Sequence, residues 1–165
     1  MRKWLKKCTP PGIPLRGELS FLLLGNLCAL LLSFGFLANY HTARMSLFDF
    51  IGGKRVLIEE AQIADFTELI HRTLWGFAVV ALAMSGMILY HYFYYRQGSK
   101  SIYLMKRLPN PWERHLRALA LPLAAILATV LLAVLIRFLY FVLYLLATPK
   151  ECLPPQVWQQ LWRLP

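Results

Sequence analysis

Residues Leu19–Ala38 read LSFLLLGNLCALLLSFGFLA, a run of 20 residues without a charged side chain. A second apolar run, Thr73–Tyr95, is interrupted by one histidine near its end, and a third, Ala118–Ala147, holds one charge, Arg137. Because an α-helix rises 1.5 Å per residue, about 20 residues cross a hydrocarbon core of about 30 Å. Each run is long enough to span a bilayer. The sequence therefore predicts an all-α integral membrane protein with three transmembrane helices.

The composition of the whole chain points to the same class of protein. Its 165 residues are 58% hydrophobic and 16% charged, whereas soluble domains carry about 25% charged residues. The segments outside the predicted spans are residues 1–18, 39–72, 96–117 and 148–165. Each is shorter than the roughly 40 residues that a segment usually needs to fold alone. We therefore expect no separate soluble catalytic domain, and we expect the bilayer itself to be the main partner of the chain.

The charged residues lie in the segments between the spans and predict an orientation. The chain has 18 Lys and Arg against 8 Asp and Glu, a net charge of +10. Residues 1–18 hold five basic residues and one acidic residue, and residues 96–117 hold six and one, whereas residues 39–72 carry a net charge of −1. Cytoplasmic loops collect Lys and Arg. The sequence thus predicts a cytoplasmic amino terminus and second loop, an extracytoplasmic first loop and carboxyl-terminal tail, and location in the cell membrane.

This distribution also excludes several functions. The positive charge flanks the spans, and no basic stripe with interleaved stacking aromatics occurs, so we expect no nucleic-acid partner. The three cysteines, Cys8, Cys28 and Cys152, show no metal-ligand spacing and are expected to be unpaired. Asp65 and Glu68 are interpreted as a solvated face rather than as an acid–base pair. No catalytic residue, cofactor or metal site is predicted. We expect all four histidines to be interfacial polar residues: His41, His71, His91 and His115.

Other features of the spans predict packing and anchoring. Asn26, Ser33 and the pair Ser85-Gly86 are small or polar positions at which helices can approach closely. A predicted aromatic belt at the outer membrane interface consists of Phe138, Tyr140, Phe141 and Tyr144. Arg137 either lies at that interface or sits deep in the membrane, where a charge costs about 2.5–3.5 kcal/mol and would mark a substrate or ion pathway. In the first loop, residues 56–70 are predicted to favour a helix.

The second loop carries the most specific pattern, SIYLMKRLPNPWE, from Ser101 to Glu113. Ser99 or Ser101 can cap a short amphipathic helix on the cytoplasmic surface, and Pro109 ends it. Asn110 as the N-cap and Pro111 as the first helical residue then start a long helix into the membrane. The apolar face of the short helix suits docking on another protein or on lipid, and a connector without a partner is an equal alternative.

This loop resembles the cytoplasmic loop after the second span of ABC-2-type transporter permeases. The residues that match in kind and approximate spacing are Ser101, Leu104, Met105, Leu108 and Pro109. Lys100 stands where that family has a glycine, and Gly98 lies two residues earlier. In the family, this segment docks on a nucleotide-binding ATPase subunit. The resemblance therefore implies a partner interface at Ser101, Ile102, Leu104, Met105, Leu108 and Pro109.

Family members usually have six spans, so a chain with three resembles half a permease or an accessory subunit. The resemblance implies a second membrane subunit and an oligomeric assembly. The chain has no GxxxxGK[ST] motif, and ATP hydrolysis would come from a separate subunit. The expected function is that of a membrane subunit of a bacterial ABC-type exporter. The alternative is a small structural or regulatory membrane protein that binds another membrane complex and transports nothing.

Overall fold

The computed structural model describes residues 15–51, 54–58, 61–96, 111–154 and 156–160, and it is mostly helical. The predicted short helix in residues 99–109 lies outside the described residues. In chain order, the elements are α1 (Leu15–Ser33), α2 (Gly35–Met45), β1 (Phe48–Ile51), β2 (Lys54–Leu57), α3 (Phe66–Ile70), α4 (Trp75–Arg96), α5 (Pro111–Ala147), a 3-10 helix (Lys150–Cys152) and α6 (Val157–Gln160).

Three helical stretches are long and apolar enough to cross a membrane, and these confirm the three predicted spans. The first, Arg16–Met45, includes α1 and α2 and extends beyond the predicted end at Ala38. The second and third are Trp75–Phe93 and Ala118–Ala147.

Helix α5 is longer than its apolar part. It begins at Pro111, the residue that the sequence predicts as the first of the helix, and it has 37 residues. At 1.5 Å per residue it is about 55 Å long, well above the thickness of a hydrocarbon core. The helix contains Pro122 in its interior, so one backbone hydrogen bond of the helical ladder is missing.

The described residues form two compact units. The first unit comprises the described residues up to Cys28 together with those of 77–131. Helices α1 and α4 pack closely in this unit. A Cβ atom added at Gly25 of α1 would lie only 3.1 Å from Cγ2 of Val80 on α4. Between α1 and α5, Nδ2 of Asn26 donates a hydrogen bond of 3.2 Å to Oγ1 of Thr129. This contact confirms the predicted packing role of Asn26.

The second unit comprises residues 29–76 and 132–165 as far as they are described, and its core is aromatic. The rings of Phe36 and Tyr140 stack with centroids 4.6 Å apart, and Phe66 meets Phe141 edge-on at 5.2 Å. Such pairs contribute about 0.5–1.5 kcal/mol each beyond their buried area. Hydroxyl groups add specificity, because the Ser33 and Tyr140 hydroxyls lie 3.0 Å apart. This contact confirms that Ser33 joins two helices.

Two further hydroxyl contacts join the first loop and α2 to the end of α5 and to the residue that follows it. The Tyr144 hydroxyl donates to the carbonyl oxygen of Ala64 at 3.2 Å. The Tyr40 and Thr148 hydroxyls lie 3.0 Å apart. Strands β1 and β2 pair antiparallel, with Phe48 opposite Leu57, and both residues pack on the aromatic core.

Two sequence-based predictions about this region are wrong. Tyr140, Phe141 and Tyr144 do not form a lipid-facing belt, because residues of the first loop and the tail cover them, and their exposure is 8% or less. Of the four predicted belt residues, Phe138 is exposed. Residues 56–70 are not one helix, since Lys54–Leu57 pairs with β1 and, among the described residues of this stretch, the helical ones are Phe66–Ile70.

No helix of this chain packs against the predicted packing site at Ser85-Gly86 among the described residues. Both residues are exposed, and a Cβ atom added at Gly86 would have no neighbour within 4 Å. The close approach occurs instead at Gly25, described above, and at Gly76, where an added Cβ atom would lie 3.0 Å from Cα of Ala29. Small residues permit close helix packing wherever they occur in the spans. Which of these residues contact a neighbouring helix depends on how each helix is rotated about its axis.

Candidate functional site

The described residues of the first unit contain one carboxyl–imidazole contact, between Glu18 and His91. Glu18 lies in the first turn of α1. His91 lies near the end of α4. Nε2 of His91 is 2.7 Å from Oε1 of Glu18, and the two side chains are 0% and 6% exposed. Polar groups that are buried to this degree and lie at the ends of apolar spans need partners within the protein.

The other nitrogen of His91 contacts the backbone of α5. Nδ1 of His91 lies 3.0 Å from the carbonyl oxygen of Ala118. In a regular helix that carbonyl would accept from the N–H of the residue four positions later, which here is Pro122. Proline has no N–H. Nδ1 of His91 therefore takes the place of the helical N–H donor that Pro122 lacks.

One atom of this site has no partner among the described residues. Oε2 of Glu18 is buried, and neither a backbone nor a side-chain group of those residues forms a hydrogen bond with it. An unpaired buried oxygen is costly, by about 1–3 kcal/mol for a neutral group and more for a charged one. Both ring nitrogens of His91 thus have hydrogen-bond partners, whereas only one of the two carboxyl oxygens of Glu18 has a partner among the described residues.

A second polar contact lies beside the first. The Tyr92 hydroxyl is 2.9 Å from Nδ1 of His115, and the two rings are 5.9 Å apart. Adjacent residues of α4, His91 and Tyr92, thus both bind α5. These two helices precede and follow residues 97–110 in the chain. The helices are therefore joined to each other on either side of that segment.

The sequence-predicted site residues have different outcomes. The predicted partner interface, Ser101, Ile102, Leu104, Met105, Leu108 and Pro109, lies outside the described residues. Arg137 is half-buried in α5, and its Nη2 atom lies 3.4 Å from the carbonyl oxygen of Gln160. His91, which was predicted to be an interfacial polar residue, is fully buried and paired within the protein. The available signal was Pro122, which frees the carbonyl oxygen of Ala118.

The second unit holds a further polar cluster around Gln160 of α6. Oε1 of Gln160 accepts from the backbone N–H of Phe66 at 3.0 Å, and its Nε2 donates to Oδ1 of Asp65 at 2.8 Å. Asp65 is the N-cap residue of α3 but makes no side-chain capping bond. The side chain of Gln160 therefore caps α3 in its place. This cluster joins the tail to the first loop and has a structural role.

The side chains of these sites form hydrogen bonds and can exchange protons. Among the described residues, no group of three or more His, Cys, Asp or Glu side chains is close enough to hold a metal ion. Cys28 and Cys152 are both free, as predicted for them.

Comparison with protein families, with characterised proteins and with solved structures finds no match to this chain. Its function must therefore follow from its own residues and their arrangement.

Proposed function

We propose that this chain is a membrane subunit of a bacterial ABC-type exporter and that a separate ATPase subunit docks on residues 99–109. The observation that carries the proposal is the double connection between α4 and α5, through His91 and Tyr92. A segment that receives motion from a partner can pass it to the spans only when its base is rigid. Residues 97–110 have such a base, because the helices on both sides of them are joined.

The charge distribution supports the same assignment. Residues 96–117 carry a net charge of +5, which favours the cytoplasmic side, where ATP is present. Helix α5 begins seven residues before its apolar window at Ala118, so its first two turns extend past the apolar part of the span. These turns connect the proposed docking segment to the membrane.

The exposed surface of the spans supports assembly with a second membrane subunit. Large apolar side chains remain more than half exposed on each span, among them Leu24, Leu82 and Leu127. Lipid covers such faces in a single subunit, and a further subunit can replace it where helices pack closely. We propose that two or more membrane subunits surround the transport path.

Purification of the full chain in detergent from its native membrane tests the proposal. ATP hydrolysis should co-purify with the chain, and Leu104→Glu and Met105→Glu should each reduce it at least tenfold, because a charge in an apolar interface is not solvated. Tyr103→Glu is the matched control. On a helix it falls on the face opposite those two residues, so it should leave the co-purified activity within twofold.

A second candidate function is that of a structural or regulatory membrane protein without transport of its own. It is favoured by the pairing of polar groups inside the spans, such as Asn26 with Thr129 and Ser33 with Tyr140. These groups stabilise helix packing and do not line a path. If no ATPase accompanies the chain in any detergent, or if Tyr103→Glu acts like Met105→Glu, the exporter assignment fails and this second function takes its place.

A further inference from the structure

The hydrogen bonds of His91 determine where its ring protons lie. A carbonyl oxygen can only accept a hydrogen bond. The oxygen of Ala118 lacks its helical donor because of Pro122, and it lies 3.0 Å from Nδ1 of His91. Nδ1 therefore carries a proton and donates it to this oxygen. This hydrogen bond fixes the orientation of the ring and leaves Nε2 directed at Glu18.

The contact between the two side chains requires one more proton. Nε2 of His91 and Oε1 of Glu18 are 2.7 Å apart, which is a strong hydrogen-bond distance. A bare imidazole nitrogen and a carboxylate oxygen are both acceptors, and two acceptors repel each other at this separation. One proton lies between them and belongs either to the imidazole, which makes an ion pair, or to the carboxyl group, which makes a neutral pair.

The unpaired oxygen of Glu18 decides between these two states. In an ion pair, the negative charge is shared by both carboxylate oxygens, and Oε2 would be a buried charged atom without a partner among the described residues. In a neutral pair, Oε2 is the carbonyl oxygen of a carboxylic acid, which loses much less on burial. We propose that Glu18 and His91 form a proton-binding site in which the proton resides on Oε1 of Glu18 and is donated to the neutral imidazole of His91.

The surroundings define how this proton can leave. On the far side of the ring, the proton on Nδ1 is hydrogen-bonded to the carbonyl oxygen of Ala118. The imidazole therefore has no group to which it can pass a proton onward. Among the side chains that the structure describes, the titratable groups at this end of the helices are Arg16 on α1, which is exposed, Tyr90 and Tyr92 on α4, and His115 on α5, which binds Tyr92. Exchange therefore occurs from the Glu18 side only, and the site holds a proton rather than relaying it.

Loss of the proton has a structural consequence. It leaves a carboxylate facing a bare nitrogen, and their repulsion weakens the contact between the first turn of α1 and the end of α4. The hydrogen bond from His91 to the carbonyl of Ala118 remains. Occupancy by a proton therefore controls the attachment of α1 to the helices that flank residues 97–110.

Infrared spectroscopy of the full chain in lipid vesicles at neutral pH tests this assignment. Exposed carboxyl groups are ionised at neutral pH, so the carbonyl band of a protonated carboxylic acid isolates the proposed site. We expect this band in the natural chain and its loss in Glu18→Gln. Glu68→Gln is the matched control, because Glu68 is exposed on α3, and it should leave the band unchanged.

Nitrogen NMR of the natural chain, labelled with 15N-histidine, gives a second readout, which reports the protons of His91 directly. The expected signal for His91 is one protonated and one bare ring nitrogen, and its absence in His91→Leu assigns it. The absence of a carboxylic acid band, or two protonated nitrogens on His91, would establish the ion pair and overturn the proposal. Both measurements use this chain alone, so they are independent of the proposed ATPase partner.

Discussion

Replacement of His91 should cost much more when residue 122 is proline than when it is alanine. His91→Leu keeps the approximate volume of the side chain but removes the donor to the carbonyl of Ala118 and the partner of Glu18. Pro122→Ala restores an N–H group four residues after Ala118, and this group can bond to the same carbonyl within α5. The helix then supplies the donor that His91 supplies in the natural chain.

The magnitude follows from the number of polar groups left unpaired. Each buried acceptor without a partner costs about 1–3 kcal/mol. With proline at position 122, His91→Leu leaves two such groups, the carbonyl of Ala118 and the carboxyl of Glu18, for a loss of about 2–6 kcal/mol. With alanine at that position only the carboxyl is unpaired, and the loss is about 1–3 kcal/mol. The two substitutions should therefore couple by about 1–3 kcal/mol.

A double-mutant cycle on the full chain in detergent micelles measures this coupling. The free energy of unfolding is obtained for the natural chain, both single variants and the double variant, by circular dichroism during denaturation. A coupling of this size corresponds to roughly 2–12 °C in the melting temperature. Gly86→Ala is the control partner for His91→Leu. It adds a Cβ atom in open space on α4, and its effect should be additive within about 0.5 kcal/mol.

Equal costs of His91→Leu in the two backgrounds would show that the histidine does not satisfy the carbonyl that Pro122 leaves free. The described link between α4 and α5 would then have to rest on the contact between Tyr92 and His115.

Two further predictions concern the second unit. Gly76→Ala should lower the free energy of unfolding by about 1–3 kcal/mol relative to Gly86→Ala, because the new Cβ atom would lie 3.0 Å from the backbone of α1 and force the helices apart; equal melting temperatures would contradict the close contact. Gln160→Ala should cost about 1–3 kcal/mol and speed hydrogen exchange at the backbone amide of Phe66, which loses its acceptor. Gln159→Ala, at an exposed neighbouring position, should change neither, and equal exchange rates in both variants would exclude the cap.

The spans could be predicted from the sequence because their signal is local. An uncharged run such as Leu19–Ala38 has few alternatives to a membrane helix, and the helix start at Pro111 follows from the fixed backbone angle of proline. Helical structure continues past Ala38 to Met45, and the sequence does not predict this continuation because α2 is only weakly apolar and gains its stability from buried residues such as Phe36.

The buried contacts could not be predicted because their partners are distant in the sequence. Glu18 and His91 are 73 positions apart, and neither has a neighbour in the sequence that reveals the other. Tyr144 belongs to an aromatic pattern that lipid and protein can cover equally well, and only the fold of the first loop decides between them. The acceptor of His91 does have a local signal, because Pro122 inside a span leaves the carbonyl oxygen of Ala118 without its helical donor.

The aromatic core of the second unit has a consequence for biosynthesis. Ser33 and Tyr40 leave the ribosome more than 100 residues before their partners, Tyr140 and Thr148. At 5–20 residues per second this delay is on the order of 5–20 s. In the later part of that time the first loop has been translated, but the helix that completes its core has not. Until α5 follows, the hydroxyls of Ser33 and Tyr40 lack their partners, so a chain truncated before α5 should not form this aromatic core.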